Sequence, residues 1–259
     1  MNKRQVVNII SLIVVLAANT LANVLPLNGQ TTGQVSDQFP LYFTPAGYVF
    51  SIWSLIYLGL IGFTIYQALP AQRDNPRLKR LGYWFALSNL FNTAWIFLWH
   101  YEQFPATLVA MLALLASLIG IYLWLGIGRT RSSLIEKLLV ELPFSIYLGW
   151  IAVATVANTS VVLYTLGWNG GALGPVVWTQ IMIAVAAVLA IAMIIMRREV
   201  AYPLVYVWAS IGIAASNPET PVIQTTAFLF AGVVLAAALA FAVVRWLRRR
   251  RAGMASLAI

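Results

Sequence analysis

Pro45-Ala46-Gly47-Tyr48-Val49-Phe50-Ser51-Ile52-Trp53-Ser54-Leu55-Ile56-Tyr57 opens a run that reaches Leu69 without one charged side chain. Residues 46–69 make 24 positions, and about 20 apolar residues carry a helix across the hydrocarbon of a bilayer. No strand-type alternation competes. Backbone polar groups inside lipid must be satisfied within their own segment, so the run predicts a transmembrane helix. It stops at Pro70, and Arg73, Arg77, Lys79 and Arg80 follow.

Working outward, apolar runs of the same kind occupy residues 6–26, 80–100, 105–127, 137–163, 175–196, 201–216 and 221–246. The connections carry turn punctuation, as in Asn28-Gly29, Asp74-Asn75-Pro76, Trp168-Asn169-Gly170-Gly171 and Asn217-Pro218. The fold class predicted is an all-α integral membrane protein of about eight transmembrane helices. The run 201–216 is short for a full crossing, and a re-entrant segment is the alternative there.

Composition points the same way. Hydrophobic residues make up 61% and charged residues 9% of the chain, with a mean hydropathy of +0.85. A soluble domain carries about a quarter charged residues. A net charge of +9 would suggest nucleic acid for a soluble protein, but in a membrane protein excess Lys and Arg set orientation. Counting loops from a cytoplasmic start, all sixteen Lys and Arg fall on the inner side. The outer connections hold only Asp37, Glu102 and Glu219. This predicts an even number of spans with both termini cytoplasmic, most simply in a bacterial inner membrane. The competing reading of the first run is a secretory signal, but its length favours an anchor. With no cysteine, disulfides and thiolate metal sites are excluded.

Trp99, Tyr101, Tyr164, Trp168 and Trp246 fall at predicted span ends, where amphipathic rings favour the headgroup layer. Trp53, Trp84, Trp95, Trp124, Trp150 and Trp208 lie further inside the runs. Indoles there either fill core volume or line an apolar pocket for a flat ligand. His100, the one histidine, sits at the end of the third run, where a polar ring at the membrane boundary needs no ligand role. Glu141 lies in an apolar stretch as a candidate intramembrane charge, with pairing to Lys137 as the alternative. Asn89, Asn92 and Asn158 read as inter-helix hydrogen-bonding glue. Gly232, Ala236 and Ala240, like Ala116 and Gly120, offer small-residue packing faces. No hydrolase elbow, phosphate loop, dinucleotide fingerprint or metal-ligand cluster is present in the sequence.

Three motifs in order resemble the TspO/MBR family of tryptophan-rich sensory proteins. The family's Pro-Pro-x-Trp-Val-Phe with a following Trp and Tyr corresponds to Pro45-Ala46-Gly47-Tyr48-Val49-Phe50 with Trp53 and Tyr57. Its Phe/Leu-Asn-x-x-Trp corresponds to Phe91-Asn92-Thr93-Ala94-Trp95. The Trp and later Asn of its fifth helix correspond to Trp150 and Asn158. Tyr48 stands where the family has a Trp, Ala46 where it has a Pro, and Pro143 lies further from Trp150 than usual. The motifs cover about residues 6–170. The resemblance implies a five-helix bundle over residues 1–172, three added helices over 173–247 and a basic cytoplasmic tail over 248–259.

Carried over by position, it implies an apolar pocket lined by Tyr48, Phe50, Trp53, Tyr57, Asn92, Trp95, Trp150, Ala154 and Asn158. The ligand implied is a tetrapyrrole, porphyrin or haem, or a sterol-like molecule. Haem or porphyrin would be a ligand and no cofactor would be required; no metal site and no catalytic residue is expected. The role would be that of a sensor, carrier or regulator. Two other readings remain at this point: a secondary transporter using Glu141, and an accessory subunit whose added helices dock in a homo-oligomer or larger membrane complex. Enzymatic porphyrin breakdown finds no acid–base pair to support it. Membrane lipids are the remaining partner, and no nucleic acid is expected.

Overall fold

The structure, a computed structural model, describes residues 1–130 and 132–255, the side chains of residues 249–255 excepted. Arg131, the side chains of Arg249 to Arg251 and the last residues of the basic tail therefore lie outside the described residues. The long helices follow the predicted order: α1 (Lys3–Val24), α2 (Ile52–Ala68), α3 (Trp84–His100), α4 (Phe104–Trp124), α5 (Leu142–Thr165), α6 (Gly174–Arg197), α7 (Ala201–Ser216) and α8 (Pro221–Ala255). With the turns leading into them, six are long and apolar enough to cross a membrane; α3 and α7 are shorter, at 17 and 16 residues.

Local chemistry sets the boundaries. Asn2 and Gln5 form a capping box that starts α1. The third run begins later than predicted because Pro76–Leu81 forms its own short helix, closed by Gly82 at φ +54°. Pro143 lacks an N–H for the carbonyl one turn back, and Lys137–Glu141 widens there into a π-turn ahead of α5.

The first five long helices close into a ring in the order α1, α3, α4, α5, α2. α7 packs on the outer side of α5, and α6 and α8 pack on α7 and on each other. Burial is inverted relative to a soluble protein. Asn8, Gln67, Asn89, Asn92, Thr107 and Asn158 are buried, while Leu58, Ile65, Val109, Val188, Ile195 and Leu229 are exposed. With no water in the hydrocarbon to satisfy amides, polar side chains turn inward and pair between helices. This is an all-α integral membrane protein.

Residues 201–216 form one continuous helix of 16 residues. Near its start, the backbone of Tyr202 lies against Gly149 of α5. At its far end Ser216 Oγ donates to Thr44 O at 2.7 Å and Asn217 Nδ2 to Tyr42 O at 2.9 Å, both in the connection between α1 and α2.

Candidate functional site

The end of the bundle away from the N-terminus holds a small, partly open cavity of about 50 Å³ between α2, α3, α4 and α5. Sites for drug-sized ligands measure about 300–1,000 Å³, so a large flat molecule would enter only if the indole walls moved apart. Trp53, Trp95 and Trp150 wall it together with Phe50, Ala154 and Asn158. Trp53 and Trp150 meet edge to face at 6.3 Å between ring centroids, and Phe50 meets Trp150 the same way at 5.7 Å.

Helical geometry explains this convergence. Gly47–Ser51 is a 3-10 helix leading into α2. Residues three apart eclipse in such a helix, so Phe50 and Trp53 share a direction while Tyr48 points elsewhere. Tyr48 is 48% exposed and packs edge-on against Trp208 of α7 at 5.3 Å. It does not line the cavity. Tyr57 stacks on Trp53 at 5.3 Å, one turn deeper and also outside the lining.

The two asparagines serve the scaffold. Asn92 donates to Tyr147 Oη at 2.6 Å and accepts from Asn19 Nδ2 at 3.0 Å, tying α1, α3 and α5 together below the cavity. Asn158 accepts from Trp95 Nε1 at 3.0 Å and donates to Thr107 Oγ1 at 2.8 Å. Its side chain fixes the Trp95 ring. Trp150 differs. It is 2% exposed, and its Nε1 has no hydrogen-bond partner.

The roof comes from the α1–α2 connection, where a short helix, Thr32–Asp37, places Thr32 and Ser36 over the cavity, and Thr44 and Pro45 complete the cover. Trp99, expected in the interfacial belt, is 4% exposed, stacks on Trp95 at 5.3 Å and donates to Thr32 O at 3.1 Å. Its position four residues after Trp95 places both on one helix face, a signal that the sequence did contain. Nothing in the polar connection marked Thr32, Ser36 or Thr44, because a loop has no periodicity to read.

Three further expectations are corrected. His100 is no boundary ring: it is fully buried, with Nδ1 at 2.8 Å from Ile96 O and Nε2 at 3.5 Å from Thr32 Oγ1. The connection from Asn28 to Gln38 folds over it, and Asn28 Nδ2 holds its carbonyl at 3.0 Å. Glu141 does not pair with Lys137. It accepts from Arg77 Nη2 at 2.7 Å and from Ser132 Oγ, because the Pro76–Leu81 helix lies against the π-turn. Trp84 and Trp124, expected inside, pair with each other at 4.7 Å on the outer surface and are 37% and 39% exposed. Glu199, which the sequence reading passed over, lies between α6 and α7. Its carboxylate accepts from Ala201 N at 2.6 Å and Tyr202 N at 3.1 Å. Burial pushes its pKa above the usual carboxylate value, and these backbone donors oppose the rise.

The lining is mostly aromatic and apolar, and the Trp150 N–H is a buried donor left unpaired within it. Among the described residues no group of three His, Asp or Glu could hold a metal ion. A family model described as TSPO-like protein matches residues 5–240. The match starts inside α1 and runs through α6 and α7 into α8, beyond the residues that carry the motifs. No curated protein and no solved structure matches the chain. The chain belongs to the TSPO-like family of integral membrane proteins.

Proposed function

We propose that the chain binds a flat, conjugated ligand of the tetrapyrrole class in the cavity between Trp53, Trp95 and Trp150, and acts as its sensor, carrier or regulator. The observation that carries this reading is the buried Trp150 indole N–H left without an acceptor inside an aromatic-walled cavity. A buried donor without a partner costs about 1–3 kcal/mol, and a ligand carbonyl or propionate would remove that cost. Stacking and apolar burial would supply most of the affinity, at about 25 cal/mol per Å² before ordering costs. His100 is not among the lining residues, so metal-free porphyrin should bind about as well as haem.

The test is a titration of protoporphyrin followed by tryptophan fluorescence. Quenching should saturate in the wild type and weaken by about 1 kcal/mol or more in Trp95→Ala. Non-saturating quenching, equal in both proteins, would mean partitioning into detergent and return the indoles to core filling.

The N-terminal end of the bundle supports a cytoplasmic assignment for that face. Contacts there bring Arg73, Arg77, Arg197, Arg198 and Arg245 to one side, as in Asn2 Nδ2 to Arg73 O at 3.3 Å and Arg245 Nη1 to Arg198 O at 3.4 Å. A bacterial inner membrane with both termini inside is the reading this favours.

A further inference from the structure

Arg4 lies in the first turn of α1 and is 8% exposed. Its Nε and Nη1 have no hydrogen-bond partner, and Nη2 makes one long contact to Gln72 O at 3.4 Å. The carboxylate whose field reaches it, Asp74, is already held by Lys79 at 2.9 Å. A guanidinium withdrawn from water without a counterion is costly, and such groups normally meet an anion.

Beside it runs a groove between α1 and α3. Lys3, Asn2 and Tyr83 form its upper end, and Val6, Val7, Ala86, Leu87 and Leu90 form its length. Lys3, which heads the groove, is the neighbour of Arg4 in the first turn of α1. From Tyr83 to Leu90 the helix rises about 10 Å, which is most of the roughly 15 Å depth of one leaflet. A cationic head above an apolar trough of that depth matches one molecule in shape and charge.

We propose that this groove binds an anionic phospholipid of the leaflet facing the N-terminus. Its phosphate sits between Lys3 and Arg4, and one acyl chain lies along Val6, Val7, Leu87 and Leu90. Free phosphate would use the head and leave the trough empty. A zwitterionic lipid would fill the trough but bring no net charge to Arg4.

The experiment uses delipidated full-length protein in neutral detergent, with bound lipid counted by native mass spectrometry. The probes are phosphatidylglycerol, phosphatidylcholine of the same chain length, and inorganic phosphate. Phosphatidylglycerol should bind in preference, about fivefold more weakly in Lys3→Gln and in Arg4→Gln, at about 1 kcal/mol per basic residue. Leu87→Trp, which fills the trough, should also weaken it. Arg129→Gln removes an equal charge from an exposed position elsewhere and should leave binding unchanged. Equal binding of phosphatidylcholine, equal loss in Arg129→Gln, or competition by inorganic phosphate at matched concentration would each overturn the site. If Arg4→Gln does not stay monodisperse, Lys3→Gln and Leu87→Trp decide the matter alone.

Discussion

Arg77 Nη2 donates to Glu141 Oε1 at 2.7 Å, joining the short helix after α2 to the π-turn that begins α5. The two side chains are 15% and 14% exposed. Arg77 is further fixed by Leu125 O at 2.7 Å and Ser132 Oγ at 3.0 Å. One guanidinium thus ties the α2–α3 connection to three points of the α4–α5 connection on the N-terminal side of the bundle.

Replacing Glu141 by Gln leaves a largely withdrawn guanidinium whose remaining carboxylate partner is Glu136, at 3.9 Å. The expected loss is about 1–3 kcal/mol, below the 3–5 kcal/mol of a fully buried pair because water still reaches this one. It should appear as a lower thermal midpoint in detergent, with ligand affinity unchanged. Lys137→Gln should leave the midpoint where it is. A large effect of Lys137→Gln with none from Glu141→Gln would contradict the pairing.

Gly212 of α7 faces Val49 of the 3-10 helix so closely that a Cβ would overlap Val49 Cγ2. The approach is held by Ala46 N to Gly212 O at 3.1 Å and Trp208 Nε1 to Val49 O at 3.2 Å. Gly212→Ala should therefore cost about 1–3 kcal/mol, the usual range for overpacking. In α8, Gly232 faces no atom within 4 Å, and Gly232→Ala should be neutral or stabilising by about 0.5–1 kcal/mol. Thermal melts of the two variants side by side check both directions. A silent Gly212→Ala would mean that α7 does not dock here.

These positions show what the sequence could and could not say. Helix order follows from apolar runs and loop charges alone, because lipid leaves the chain few alternatives. Trp53, Trp95 and Trp150 were legible as interior indoles, and the structure brings them to one cavity. Tyr48 was placed by its position in the family motif, and the 3-10 helix over Gly47–Ser51 turns it away from the cavity toward Trp208. Asn92 and Asn158 were legible as inter-helix glue, but the groups they pair with were not. Whether an amide is free depends on Tyr147, Asn19, Trp95 and Thr107, which come together only in three dimensions.

Glu199 gives a pH dependence whose sign can be worked out. Its folded pKa is raised above the ordinary 4.5, chiefly by burial. The folded state then binds the proton more tightly than the unfolded state does. The resulting stability is fully present below the unfolded pKa and is lost as pH rises through the folded one. The midpoint of the wild type relative to Glu199→Gln should accordingly rise as pH falls from about 8 to about 4. Asp74 behaves oppositely, its pKa lowered by its hydrogen bond to Lys79, but it is common to both proteins and cancels. A difference that is flat or falls toward acid would show that Glu199 is solvated.

The proposed orientation rests on which face collects the basic residues. Reporter fusions in the 70–80 connection and after Arg251 should read cytoplasmic, and those near Gly33 and Gly170 external. A cytoplasmic signal from Gly170 would break the arrangement.

The sharpest test of the cavity separates its wall from its donor. Trp95 presents a ring face whose N–H is already spent on Asn158 at 3.0 Å, whereas Trp150 presents both a ring and an unspent N–H. Trp95→Phe should therefore weaken every flat ligand slightly and equally, by the difference in aromatic contact area. It also strands Asn158 Oδ1, so a small loss of thermal stability should accompany it. Trp150→Phe removes a donor that nothing in the protein uses. It relieves an unpaired buried donor but leaves part of the indole volume empty. It should weaken ligands with an acceptor more than those without, by a further ~0.5–1.5 kcal/mol for a neutral acceptor and more for a carboxylate. Comparing protoporphyrin with its dimethyl ester and with a porphyrin lacking propionates supplies the series. If Trp150→Phe weakens all three alike, the indole N–H plays no part in recognition, and Trp150 acts as wall alone.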